Sequence, residues 1–186
     1  DDLNKAMFLA ERAKKLDFEA LDRLYWEITL KGFNDLLKRR IRHDLTLIDK
    51  GIDNLKEIEA ICVNRYQTHL NSDTLLDIGC GTGGVLVAAR HKFKDTIGID
   101  ISLQRLVIAK KRFEELNLNV SLLCGGAERL PFRNNWFDLI FAGDVIEHVK
   151  DQTASLMESR RVLKKDGILF IATPNRFSVT PEPHVR

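Results

Sequence analysis

From Thr74 onward the chain alternates between short apolar runs and longer amphipathic stretches. TLLDIG (74–79), DTIGID (95–100), VSLLC (120–124), WFDLIFAG (136–143) and ILFIAT (168–173) read as strands that bury both faces. Between them, 83–91, 102–116 and about 150–164 carry helical spacing, with Ser102 as an N-cap and Lys165-Asp166-Gly167 as a turn. Strands alternating with helices predict an α/β fold with a parallel sheet covered on both faces. Right-handed crossovers make it a Rossmann-like, doubly wound arrangement.

Residues 1–70 have another texture. Phe18, Leu21, Tyr25 and Ile28, then Ile41, Leu45, Ile48, Ile52 and Leu55, recur at helical spacing, interrupted only by the breakers Gly32 and Gly51. Three or four helices are expected, forming an N-terminal helical cap in which Phe18, Tyr25, Trp26 and Phe33 make either a lid or an ordinary helical core. The basic run Lys38-Arg39-Arg40-Ile41-Arg42 is flanked by Asp35 and Asp44 and reads as a solvated face. The organisation expected is a cap at 1–70, a ligand-binding core at 71–177 and a loop-like tail at 178–186.

Composition adds exclusions. A net charge of +2 over 186 residues builds in no strong pull toward nucleic acid or anionic membrane. That favours a small-molecule partner over a nucleic acid and leaves oligomeric state open. No apolar run reaches the roughly 18–20 residues of a membrane span. Cys62, Cys80 and Cys124 are far apart and lack CxxC spacing, which suggests neither zinc nor disulfides and fits a cytoplasmic setting. The charged N-terminus, without Met, fits a piece of something longer.

The chemistry concentrates in LLDIGCGTGG (75–84). In a doubly wound sheet this turn lies at the carboxyl end of the first strand, where ligands bind. Glycines let a ligand approach the backbone, and the N–H groups of the turn can receive a carboxylate or phosphate. Gly79-x-Gly81-x-x-Gly84 alone would pass as a dinucleotide fingerprint. Asp100 ends the second strand and suits a ribose diol, or else caps the helix beginning near Ser102. Asp77 separates the candidate ligands, because a carboxylate at that strand tip would repel a pyrophosphate at a cost of kcal/mol order. S-adenosylmethionine instead offers a sulfonium and an ammonium to Asp77, and a carboxylate to the glycine N–H groups.

With LLDIGCGTGG, GIDIS (98–102), GGAERLPFRNNWFDLIFAGDVIEHV (125–149) and RRVLKKDGILFIATPNR (160–176) in this order, the chain resembles the class I S-adenosylmethionine-dependent methyltransferases, in particular the broad small-molecule group. The resemblance covers roughly residues 70–177. It implies strand order 3-2-1-4-5, with two further C-terminal strands absent from this chain. It also implies S-adenosylmethionine as cofactor and methyl transfer by in-line displacement to an O, N or C atom of a small molecule. The alternatives are an RNA methyltransferase and a binding module without catalysis.

By the same resemblance Gly79, Gly81 and Gly83 line the methionine moiety beside Asp77, Asp100 holds the ribose, Ile101 packs on the adenine and Ala127 meets its edge. Family members often carry Asp before that alanine; here Gly126 stands there, and Glu128 is the candidate substitute acceptor. Asp144 and His148 are the candidate catalytic residues, as bases or substrate contacts. Asp144-x-x-Glu147-His148 also looks like a cluster that holds a divalent metal in some quinone-biosynthesis and RNA-end methyltransferases. It occurs too in relatives without metal, and no metal is expected here. Arg176 and His184, after the fifth strand, are candidate contacts for an acidic substrate.

Overall fold

The computed structural model describes residues 2–17, 20, 21, 23, 24, 47–66 and 73–174. The aromatic set Phe18, Tyr25, Trp26 and Phe33, the basic run 38–42, and Arg176 and His184 lie outside the described residues. The described elements are α1 (Asp2–Ala13), α2 (Leu47–Tyr66), β1 (Thr74–Ile78), α3 (Gly84–Ala89), β2 (Asp95–Asp100), α4 (Leu103–Glu115), β3 (Ser121–Cys124), β4 (Phe137–Gly143), α5 (Gln152–Val162) and β5 (Leu163–Ala172).

All five strands are parallel, as the alternating pattern predicts, and stand in the order β3-β2-β1-β4-β5 that the resemblance implies. β1 and β4 are consecutive in the sheet but far apart in sequence, so strand order reverses between them and their carboxyl ends frame a crevice. Side chains on each strand alternate between two cores. Leu75, Leu139 and Phe141 join α2, α3 and α4 through Leu55, Ile58, Leu86 and Phe113. Leu76, Ile78 and Ile140 face the other way, onto Phe132, Phe137 and Val162.

Two expectations are corrected. Gly51 does not break a helix: it is buried inside α2, where a Cβ would lie 2.7 Å from the Gly84 carbonyl oxygen. Its missing side chain lets α2 press directly on the first turn of α3. Lys165-Asp166-Gly167 is not a turn between α5 and the last strand. β5 begins at Leu163, pairs there with Phe137, and regains register at Leu139↔Ile168 through an irregularity. Gly167 suits that bulge, since a Cβ would meet the Phe137 carbonyl at 2.9 Å.

α1 packs on α4 through Leu9 and Ile108, with Leu21 in the same cluster. α2 shares a core with the sheet, so this part of the N-terminal region braces the fold through packed apolar side chains.

At the amino ends of β1, β4 and β5 the sheet is tied by a polar knot. Asp138 accepts from Thr74 N (3.0 Å) and Thr74 Oγ1 (2.7 Å), and Lys164 Nζ donates to both its oxygens (2.8 and 2.9 Å).

Candidate functional site

The turn after β1 is shaped by its own hydrogen bonds. Gly79 N and Cys80 N donate to the Ile99 carbonyl (2.8 and 3.1 Å), and Gly83 N donates to that of Cys80 (2.8 Å). Gly81 N donates to Asp100 Oδ2 at 2.8 Å, while Asp100 Oδ1 accepts from Ser102 N at 2.7 Å. The three glycine N–H groups are thus engaged within the protein, contrary to the expectation that they receive a ligand carboxylate. Asp100 does not cap α4 either: Ser102 is the N-cap, accepting from Arg105 N. Asp100 fastens the glycine turn to the tip of β2, and a carboxylate with about four acceptor positions keeps capacity for a diol.

The glycines differ in what they make room for. All three have positive φ. A Cβ at Gly79 would strike Val145, and one at Gly83 would strike Phe113. At Gly81 (φ +55°) nothing lies within 4 Å of that position, so this glycine alone of the three opens onto space. From behind, the buried Arg112 on α4 holds the turn through Thr82, donating from Nη1 to its carbonyl (2.8 Å) and hydroxyl (3.4 Å).

Asp77 is 2% exposed at the end of β1. Burial, and then the charge of Asp100, push its carboxyl well above the usual carboxylate range. Among the described residues no hydrogen bond or cation offsets either effect. A buried carboxylate facing a second one is costly unless a positive group joins them. The same surroundings push the Cys80 thiol up, chiefly by burial, so it is inert packing. Beside the acids, Ile101 is 81% exposed, an apolar side chain presented at a strand tip.

The loop after β3 supplies the next wall. Gly125 N donates to the Asp100 carbonyl (3.0 Å), which places Gly126 and the buried Ala127 beside the tip of β2. Glu128 folds back over this segment: Oε1 accepts from Lys150 N (3.0 Å), and Oε2 lies 2.9 Å from where a Cβ on Gly126 would be. The glutamate therefore occupies the space a side chain at 126 would take.

On the other side, Asp144 follows β4 with φ +55°, in the left-handed region, and its N–H donates to the Ala172 carbonyl (2.9 Å). Asp tolerates this conformation better than most residues, and such outliers concentrate at functional sites. The following turn closes through His148 N to the Val145 carbonyl (2.9 Å), leaving His148 exposed. Glu147 points inward, with Oε2 accepting from Thr173 Oγ1 (3.2 Å) and Oε1 buried without a hydrogen-bond partner. Among the described residues no group of three or more His, Cys, Asp or Glu side chains is placed to hold a metal ion.

The arrangement thus joins two buried acids, an open glycine, an exposed apolar side chain and a strained aspartate at the carboxyl end of the sheet. Sequence comparison supplies the family: a family model for the methyltransferase domain matches residues 76–171. The chain belongs to the class I S-adenosylmethionine-dependent methyltransferase family. Among the relatives of this methyltransferase domain is the malonyl-[acyl-carrier protein] O-methyltransferase of Marinomonas sp. (strain MWYL1), 29% identical over 76% of this chain and 54% of that protein. The ubiquinone biosynthesis O-methyltransferase of Pelagibacter ubique is 36% identical over 58% of this chain and 44% of that protein. An S-adenosylmethionine-dependent methyltransferase structure from Clostridium acetobutylicum superposes with a TM-score of 0.58 at 28% identity, covering 77% of this chain and 56% of that one. The methyltransferase domain spans about half the length of the curated relatives it matches.

Several contributors carry no sequence signal of their own: Arg112 behind the turn, Val145 against Gly79, Phe113 against Gly83, and Thr173 beside Glu147. Each is an ordinary residue type in an ordinary pattern, and only the fold brings it to the site.

Proposed function

We propose that this chain binds S-adenosylmethionine at the carboxyl ends of β1 and β2 and transfers its methyl group to an acceptor atom of a small molecule, O being favoured over N or C by the O-methyltransferase relatives. When bound, that cofactor supplies a methyl group already activated on a cationic sulfur. The protein's task is then alignment and exclusion of water, and alignment alone can contribute roughly 7–11 kcal/mol.

Asp77 carries the reading. It is a buried carboxylate, next to a second one, that no described protein group neutralises. A sulfonium and ammonium complement it; a diphosphate would add charge of the same sign. Asp100 accepts from the ribose hydroxyls while holding Gly81 in place. Gly79 and Gly83 give the turn its shape, and Gly81 leaves the room. Ile101 offers an apolar face to the adenine, and Ala127 and Glu128 meet its edge, with the Glu128 carboxylate taking the acceptor's part that Gly126 cannot. Asp144 and His148, on the turn after β4, accept the acceptor's proton or hold it in line. Residues 1–70 cap the domain, their described helices bracing α3 and α4, and residues 71–177 hold the site.

Calorimetric titration with S-adenosylhomocysteine and with NAD is the direct test. Binding of S-adenosylhomocysteine is expected, with its loss in Asp100→Ala and the circular dichroism spectrum retained. Binding of NAD alone would defeat the reading, and unchanged affinity in Asp100→Ala would remove that residue from the site.

A further inference from the structure

The loop joining β3 to β4 begins with two glycines and contains no helix or strand, yet it is held firmly from α5. Arg161 spreads its guanidinium beneath the loop. Nη2 donates to the Leu130 carbonyl (2.8 Å), and Nη1 donates to the Phe132 carbonyl (2.7 Å) and Asn134 Oδ1 (2.9 Å). Nε and Nη2 also donate to the two oxygens of Glu158 (2.7 and 2.8 Å). Glu158 Oε2 in turn accepts from Leu130 N (2.7 Å), so both backbone polar groups of Leu130 end on this pair. The planar fork of an arginine can satisfy such divergent acceptors at once; a lysine ammonium cannot.

The pair's hydrogen bonds to the loop reach Leu130, Phe132 and Asn134, none of them a residue of the proposed cofactor site. Its effect passes along the chain. The loop is pinned at its start, where Gly125 N meets the Asp100 carbonyl, and again from Leu130 to Asn134 by Arg161. Between these points lie Gly126, Ala127 and Glu128. Two successive glycines add no stiffness to the segment, so its height is set by its anchors, Glu128 on Lys150 N and the Arg161 fork on the far side. Telling an amine from a carbonyl on a base edge depends on acceptor placement within hydrogen-bond tolerance.

We propose that Arg161, braced by Glu158, is a positioning residue that fixes the Gly126–Glu128 segment and thereby sets the cofactor's base specificity. This rests on the reading that the chain binds S-adenosylmethionine with its adenine at Ala127.

The test compares S-adenosylhomocysteine with S-inosylhomocysteine, in which the exocyclic amine is replaced by oxygen, by calorimetry on the wild type, Arg161→Gln, Arg161→Lys and Glu158→Gln. The wild type is expected to prefer the adenine compound by about tenfold or more, the worth of one hydrogen bond. In Arg161→Gln that preference falls to about threefold or less while the circular dichroism spectrum is kept; Arg161→Lys follows it, and Glu158→Gln shifts the ratio the same way. Equal weakening of both ligands with an unchanged ratio overturns the proposal and leaves the cofactor reading standing. A wild type that binds neither ligand defeats both. Should Arg161→Gln fail to fold, the ratio in Glu158→Gln decides.

Discussion

Two buried aspartates on neighbouring strands have opposite fates. Asp138, near the amino end of β4, is 5% exposed and is enclosed by Thr74 and Lys164, which satisfy its charge and its lone pairs. Asp77, near the carboxyl end of β1, is 2% exposed and has neither. The sheet therefore has a finished end and an unfinished one. A buried charge completed by the protein is structure; one left incomplete, in a chain that still folds, points to a ligand that completes it.

Substitutions can separate the two cases. Removing the completed charge has the largest expected effect on stability. Asp138→Ala leaves Thr74 N without its acceptor and removes the charged bond to the part-exposed Lys164, and is expected to cost about 1.5–3 kcal/mol in chemical denaturation. The affinity of the folded fraction for S-adenosylhomocysteine should not change. Asp77→Asn should do the reverse, weakening that ligand by about 2–5 kcal/mol, as when one partner of a buried charge pair is lost, while raising the melting temperature of the unliganded protein. A lower melting temperature would mean that Asp77 has a protein partner after all. Next, Gly81→Ala forces an L side chain into left-handed backbone at about 1–2 kcal/mol and puts a methyl into the open space, so it should weaken both folding and ligand binding.

The smallest effect is a pH dependence. The folded-state carboxyl of Asp77 is raised above its unfolded value. As pH falls through the raised value the native state takes up a proton that the unfolded chain does not. The stability penalty of Asp77 thus fades with acidification, and is gone once pH reaches the ordinary carboxylate range. The stability gap between Asp77→Asn and wild type should therefore narrow from neutral pH downward in parallel urea titrations. A constant gap would show that ionisation of Asp77 is not its cause.

The same contrast explains what could be read in advance. The parallel sheet was legible because its central strands are buried on both faces and read as continuous apolar runs, as in LLDI and FDLIFA. Asp77 stood out because an acid interrupts such a run at a turn. Asp138 interrupts its run in the same way, and nothing in the sequence says that Thr74 and Lys164 will meet it. Lys165-Asp166-Gly167 has the chemistry of a turn, and long-range pairing with β4 extended it. Glu158 and Arg161, three residues apart on a helix, look like a solvated ion pair. Their hold on a loop some thirty positions upstream is a property of the tertiary fold alone.

The position of Glu128 over Gly126 also makes residues 126 and 128 an energetically coupled pair. An aspartate at 126 would meet the far end of the Glu128 side chain, which can swing aside, so the two acids compete for one place and repel each other there. Gly126→Asp should accordingly weaken ligand binding more alone than beside Glu128→Ala, a coupling that a survey of single substitutions would miss.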